Sequence, residues 1–204
     1  MAGARVYLEL GRTWAFACAV DWPGWARKAK GVEAALETLL DYEKRYASVA
    51  GRPFRPGTPD VIGQVQGNAT TDFGAPAVIG EWDSDPLDRT EAKRQTGLLT
   101  KCWDYFDRVA ASAPAELRKG PRGGGRDRDK IVDHVKEAER GGYAPRFGLR
   151  IPPRTPWREQ REAIVAAVLA LPNDTKWPLR YALRRTAWHV LDHAWEIEDR
   201  SSQA

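Results

Sequence analysis

The stretch Tyr181-Ala-Leu-Arg-Arg-Thr-Ala-Trp-His-Val-Leu-Asp-His-Ala-Trp-Glu-Ile-Glu-Asp-Arg200 constrains this chain more than any other. It has no Gly or Pro and an apolar period near 3.6, so it reads as one long helix. His189 and His193 stand four apart and therefore one turn above each other on one face. On a helical wheel they fall beside Ala182, Leu183, Thr186, Val190 and Ile197, the apolar stripe. Tyr181, Trp188 and Trp195 recur every seven residues and are assigned to the opposite face. A helix with both flanks committed needs partners on two sides. The aromatic stripe is expected to pack against the N-terminal part of the chain or, in a homodimer, against a second subunit.

The chain has 204 residues, enough for one large domain or two small ones, and its 42% apolar content supports a real core. No run approaches the ~18 apolar residues of a membrane span. The N-terminus lacks a basic segment followed by an apolar stretch, so no signal peptide is expected. Cys18 and Cys102 are the only cysteines, which suits a reducing cytoplasm better than a disulfide framework. Both lie on apolar faces and read as buried structural thiols. Charge is uneven: residues 1–90 carry 10 Lys/Arg against 12 Asp/Glu, and residues 91–204 carry 22 against 16. That modest excess either attracts an acidic small molecule or merely keeps the chain soluble, and no dense basic and aromatic surface points to nucleic acid.

Val6, Leu8 and Leu10 alternate with Tyr7 and Glu9, and Trp14, Phe16, Cys18 and Val20 alternate with small residues. Both runs have the period of a strand with one buried face, and Gly11-Arg12 between them predicts a hairpin. Pro23-Gly24 marks a turn. A helical period runs from Val32 to about Gly51, and Val61–Val65 reads as a third strand. Residues 83–90 are a polar, Pro-containing joint, so the predicted boundary divides 1–86 from 87–204. Beyond it four helices are expected: one around Leu98–Val109, then 127–140, 156–171 and 177–201. An antiparallel four-helix bundle is the natural solution, and the chain as a whole is expected to be α+β.

His134, the third histidine, falls beside Ile131, Val135 and Ala138 on the apolar side of the second of these helices. All three histidines thus point toward the bundle interior. Buried imidazole nitrogens without partners are costly. A shared divalent ion removes that cost, and three protein ligands with an open position is the usual catalytic arrangement. The alternative is three core histidines with satisfied hydrogen bonds. Glu196, one turn past His193, reads as a fourth ligand, a partner of a ligand, or a solvated carboxylate. Asp133 and Asp192 are expected to point away from the site. The Gly-rich basic segment 118–130 leads into a helix start. Backbone N–H groups there, with Arg122, Arg126, Arg128 and Lys130, form a candidate anion cradle, the alternative being a flexible charged connector.

Lys130-Ile-Val-Asp-His134-Val-Lys-Glu-Ala-Glu139, with Trp188-His189-Val-Leu-Asp-His193-Ala-Trp-Glu-Ile-Glu198 some fifty residues on, resembles the DinB/YfiT-like superfamily. Its pattern of one histidine on the second helix and a His-x-x-x-His pair on the last is matched by His134, His189 and His193. The resemblance covers about 90–204. It implies a four-helix bundle, a zinc or nickel ion on those three residues, and a low-molecular-weight thiol in transfer or isomerisation chemistry. The β-β-α-β order of about 5–65, with Pro-Gly leading toward Gly31-Val-Glu-Ala-Ala-Leu36, resembles the HicB-like domain, although Trp25 stands where a small residue is usual. Two functions remain open at this point. One is a metal-dependent transferase, isomerase or hydrolase acting on a small molecule. The other is a non-enzymatic binding or regulatory protein in which a HicB-like domain meets a partner and the metal is structural or absent.

Overall fold

The computed structural model describes residues 3–120 and 124–201. The hairpin forms as its alternation predicts, with β1 (Arg5–Leu10) antiparallel to β2 (Ala15–Ala19). Two further strands complete a mixed sheet of order β3-β2-β1-β4, with β3 (Ala26–Ala29) antiparallel to β2 and β4 (Asp60–Gln66) parallel to β1. β3 was not expected, because Arg27 and Lys28 fill half of a four-residue strand. The parallel pairing of β1 with β4 requires a crossover. It is supplied by α1 (Val32–Asp41) and α2 (Glu43–Ala50), where one continuous helix was predicted. Tyr42 breaks it, and its ring packs edge-on against Trp195 at 4.9 Å.

The hairpin is buried on both faces, not on one. Val6, Leu8, Ala15, Ala17 and Ala19 join the main core, while Tyr7, Phe16, Cys18 and Val20 form a second layer with Trp82 and Trp188. The alanines of β2 are small enough to sit under α1, so both faces can be covered. Glu9 shares the face of Tyr7 and is fully buried. Its carboxylate accepts from Thr71 Oγ1 and from the backbone N–H groups of Ala77 and Val78, which pins the segment after β4 to the sheet. That segment contains a short unexpected helix, α3 (Ala69–Phe73), with a capping box from Asn68.

The helical part begins with α4 (Arg89–Ser112), capped by Asp88 Oδ1 accepting from Glu91 N–H at 2.7 Å. It continues through α5 (Arg128–Glu137), α6 (Trp157–Leu169) and α7 (Leu179–Ser201). α4 packs along α7, α6 against α4, and α5 against α7. α5 does not run on as a regular helix to Arg140. It passes into a π-helical segment, Ala138–Tyr143, and then a short 3-10 turn. Such irregular turns re-aim side chains. Here the segment buries Glu139 against Arg161 (3.1 Å) and brings Tyr143 inward.

α7 is the central element, buried along most of its length. Its aromatic stripe is covered by the N-terminal part of the chain and by neighbouring loops. Trp188 meets Phe16 (6.1 Å), Trp195 meets Tyr42, and Tyr181 meets Trp177 (4.8 Å). Gly24 sits at φ +94°, where a Cβ would meet Leu191 Cδ1 at 2.8 Å, so only glycine lets this turn lie on α7. One continuous core joins residues on either side of 86: Leu8, Trp25 and Leu39 belong to the same cluster as Leu99, Leu183 and Leu191.

Candidate metal centre

α5 and α7 bring the three histidines together. One potential ligand atom from each of His134, His189 and His193 lies within 4.8 Å of the others, close enough to hold a metal ion. The rings are 4.7–5.1 Å apart, centre to centre. His134 Nε2 and His189 Nε2 face each other at 3.2 Å. His193 turns its Nδ1 to Glu196 Oε2 at 2.9 Å, which leaves Nε2 free. Glu196 is therefore a partner of a candidate ligand. Its other oxygen accepts from Arg200 Nη1 at 2.8 Å.

Burial lowers the pKa of His189 well below its ordinary value, and the neighbouring His193 lowers it further. His134 is lowered for the same two reasons in the same order. Neutral imidazoles keep the lone pairs a metal requires. The bland alternative, core histidines satisfied by hydrogen bonds, fits poorly. His189 Nδ1 is buried with no hydrogen-bond partner, and its Nε2 meets only another imidazole nitrogen. An unmatched buried polar atom costs on the order of 1–3 kcal/mol. The three histidines lie close enough to hold a shared cation, and pairing within the described residues leaves His189 Nδ1 without a partner.

The histidines line a cleft of about 550 Å³. One wall comes from α5, the π-helical segment and α7, and includes Tyr143, Arg185 and Trp188. The other comes from the α/β part, through Lys28 of β3 and the Thr70–Ala75 segment. The two parts of the chain thus share this site. Tyr143 packs on His189 at 5.3 Å, and its hydroxyl accepts from Arg185 Nη1 at 3.0 Å. Trp188 lines the cleft as well as covering β2, so it does not lie wholly opposite the histidines.

The expected anion cradle is only partly assembled. Arg126 lines the cleft, and its backbone carbonyl accepts from Arg200 Nη1. Arg128 instead donates to Ala113 O and Asp129, which ties the start of α5 to the end of α4. Lys130 is exposed and is not part of the cleft wall, and Arg122 lies outside the described residues. Gly125, at φ +122°, lies against the Arg200 guanidinium, which a Cβ would meet at 2.8 Å. Asp133 is exposed as expected, but Asp192 reaches the cleft wall, with its carboxylate held by Arg27 at 3.0 Å. Lys28, Phe73, Tyr143, Arg146, Trp177 and Arg185 also line the cleft and were not anticipated. Arg185 alone had a readable signal, one turn before His189 on the same helix.

Cys18 and Cys102 are buried, and burial pushes the Cys18 thiol up to about 12 and that of Cys102 higher still. Neither is a nucleophile. A second cavity, about 650 Å³ between α4 and α6, is lined by Trp103, Asp107, Trp157 and Arg161 and has no histidine. No helix among the described residues is long and apolar enough to cross a membrane. No family model, curated protein or solved structure matches this chain.

Proposed function

We propose that the protein is a metal-dependent enzyme acting on a small molecule, with a zinc or nickel ion held by His134, His189 and His193. The observation that carries this reading is the convergence of three imidazoles on one wall of a cleft. Glu196 supports an open rather than a closed site, because both of its oxygens are engaged elsewhere, by His193 and Arg200. Residues 87–204 are then a DinB-like bundle and residues 1–86 a HicB-like domain packed against it. A low-molecular-weight thiol as cosubstrate rests on the resemblance alone.

A divalent ion in this position supplies Lewis acidity toward a substrate oxygen or sulfur. The chain's own residues set the conditions around it. Glu196 keeps the His193 proton on Nδ1, so Nε2 stays a ligand. Tyr143 and Trp188 wall the histidines with apolar surface and limit water at the site. Arg185 stands beside them as a fixed positive charge.

The test is metal content of the purified protein beside His134→Ala, His189→Ala and His193→Ala. The wild type is expected to carry stoichiometric metal and each variant to lose it while keeping its helical circular dichroism. Metal-free wild type, or unchanged metal in all three variants, ends the proposal. Metal lost together with the fold assigns the ion a structural role and favours the non-enzymatic alternative.

A further inference from the structure

Four cations line the cleft: Lys28, Arg126, Arg146 and Arg185. None makes a salt bridge with a carboxylate of the described residues. Their other contacts leave donors to spare. Lys28 Nζ donates to Gly74 O at 2.8 Å, and Arg185 to the Tyr143 hydroxyl. Arg146 lies over the Trp177 ring at 4.8 Å, and Arg185 over Trp188 at 4.6 Å. The one acid on the wall, Asp192, is already paired with Arg27. Elsewhere in this chain arginines near a carboxylate take one, as Arg5, Arg27, Arg45, Arg161 and Arg184 do. Four unpaired cations around one cavity concentrate positive potential there.

The same cleft holds flat apolar surface. Trp177, Tyr143 and Trp188 line the helical side. Phe73 lines the other side, and it is 89% exposed at the end of α3. An exposed phenyl ring at the mouth of a cleft is unusual, since burial would stabilise it by about 1.5–3 kcal/mol. The α3 segment is held in place by Glu9 and by Lys28, so Phe73 is presented from a fixed support.

We infer that the α/β part of the chain is the substrate-selecting wall of this site, and that the ligand is a small organic anion with a flat apolar body. Its carboxylate or phosphate is held by Lys28, Arg146 and Arg185, with Arg126 at the rim, and its body lies between Phe73 and the Trp177–Trp188 side. Arginine forks suit either anion, and the stacked guanidiniums are pre-set for it. The inference rests on the cleft being the functional site proposed above, and it adds the class of molecule that enters.

The experiment is calorimetric titration of the full-length protein, chelator-treated and zinc-loaded, with 2-naphthoate, 2-naphthyl phosphate and the neutral 2-naphthamide. At least one anion is expected to bind about tenfold or more tightly than the amide, as one charge-assisted hydrogen bond supplies. Comparing the two anions identifies the acidic group. Arg146→Gln is expected to weaken the preferred anion about tenfold and leave the amide unchanged, and Lys28→Met, which also releases the Gly74 carbonyl beside Phe73, is expected to weaken the anion more than the amide. Arg146 donates no hydrogen bond to another described residue, so its removal leaves the fold intact. Phe73→Ala should weaken all three probes by a similar factor, and Arg158→Gln, at the other cavity, should change none. Equal binding of amide and anions overturns the inference, as does indifference to both Arg146→Gln and Phe73→Ala. Metal content of the same samples reads the histidine site separately. Metal without anion preference sinks this inference alone, and anion preference without metal sinks the metal proposal alone.

Discussion

Glu196→Ala tests whether the carboxylate acts through His193 or on the metal itself. In the structure Glu196 Oε2 fixes the Nδ1 edge of His193 at 2.9 Å. Removing such a partner frees the ring to rotate and lowers its basicity, which typically costs 10–100-fold in metal affinity, about 1.4–2.7 kcal/mol. The Glu196 side chain is 34% exposed and shared with Arg200, so the loss belongs at the lower end, about tenfold. Glu196→Gln keeps an acceptor for Nδ1–H and should lose less. His193→Ala removes a ligand and should lose much more. Arg200→Met removes the other partner of the Glu196 carboxylate and leaves its bond to His193 in place, so it should lose less than Glu196→Ala. The assay is competition for zinc against a chromogenic chelator at fixed pH. Wild-type affinity in Glu196→Ala refutes the orienting role. A loss equal to that of His193→Ala refutes it in the other direction, by making Glu196 a ligand.

Arg184 is buried, donates to the Tyr7 hydroxyl at 2.8 Å and pairs with the fully buried Asp83. Arg184→Leu strands that carboxylate and should cost about 3–5 kcal/mol in urea unfolding, and a loss below 1 kcal/mol would show the pair to be dispensable. Cys18 and Cys102 should resist a thiol-specific chromogenic reagent until the protein unfolds, and rapid labelling of the native protein would contradict their burial. Burial raises the pKa of Glu9 above the ordinary carboxyl value. A raised acid binds its proton more tightly when folded, so its contribution is full below the ordinary value and is lost as pH rises through the native one. Unfolding midpoints from about pH 4 to about pH 7 should therefore shift in favour of Glu9→Gln relative to wild type, and a gap independent of pH would refute the assignment.

Periodicity located α7, α4 and the hairpin because each has one dominant pattern over enough residues to average out exceptions. The histidines were legible for the same reason, since a four-residue spacing within one helix fixes their common face. The remainder of the site was not local. Lys28 lies on a strand too short and too charged to show a period, and Phe73 on a five-residue helix inside a Pro- and Gly-rich stretch. Both reach the cleft because the sheet and Glu9 carry them there, across separations no window spans. The π-helical turn was invisible because Ala138–Tyr143 continues the helical pattern, and only Gly141-Gly142 hints at a change. Trp188 was misplaced because a wheel assigns a residue to one face, whereas an indole is wide enough to serve two.

The α/β part does more than border the cleft, because it holds α7 along the flank beside the histidines. Arg27 of β3 pairs with Asp192, the residue before His193, and stacks on Tyr42 at 4.0 Å. Arg45 of α2 bonds Glu198 and Asp199 one turn and a half further on. Tyr7 and Asp83 hold Arg184, and Phe16 covers Trp188. These contacts recur at 184, 188, 192, 195 and 198, which is one continuous stripe of α7 beside His189 and His193. Residues 87–204 made alone would expose Trp188 and Trp195 and leave Arg184 without Asp83. Two large aromatic side chains returned to water remove about 3–6 kcal/mol, comparable to the whole stability of a small domain. Expressed alone, this segment should show no cooperative thermal transition and no zinc affinity comparable to the full chain. A sharp transition with undiminished zinc binding would mean that the helices set the histidine register by themselves, and that the α/β part only decorates a site it did not help to build.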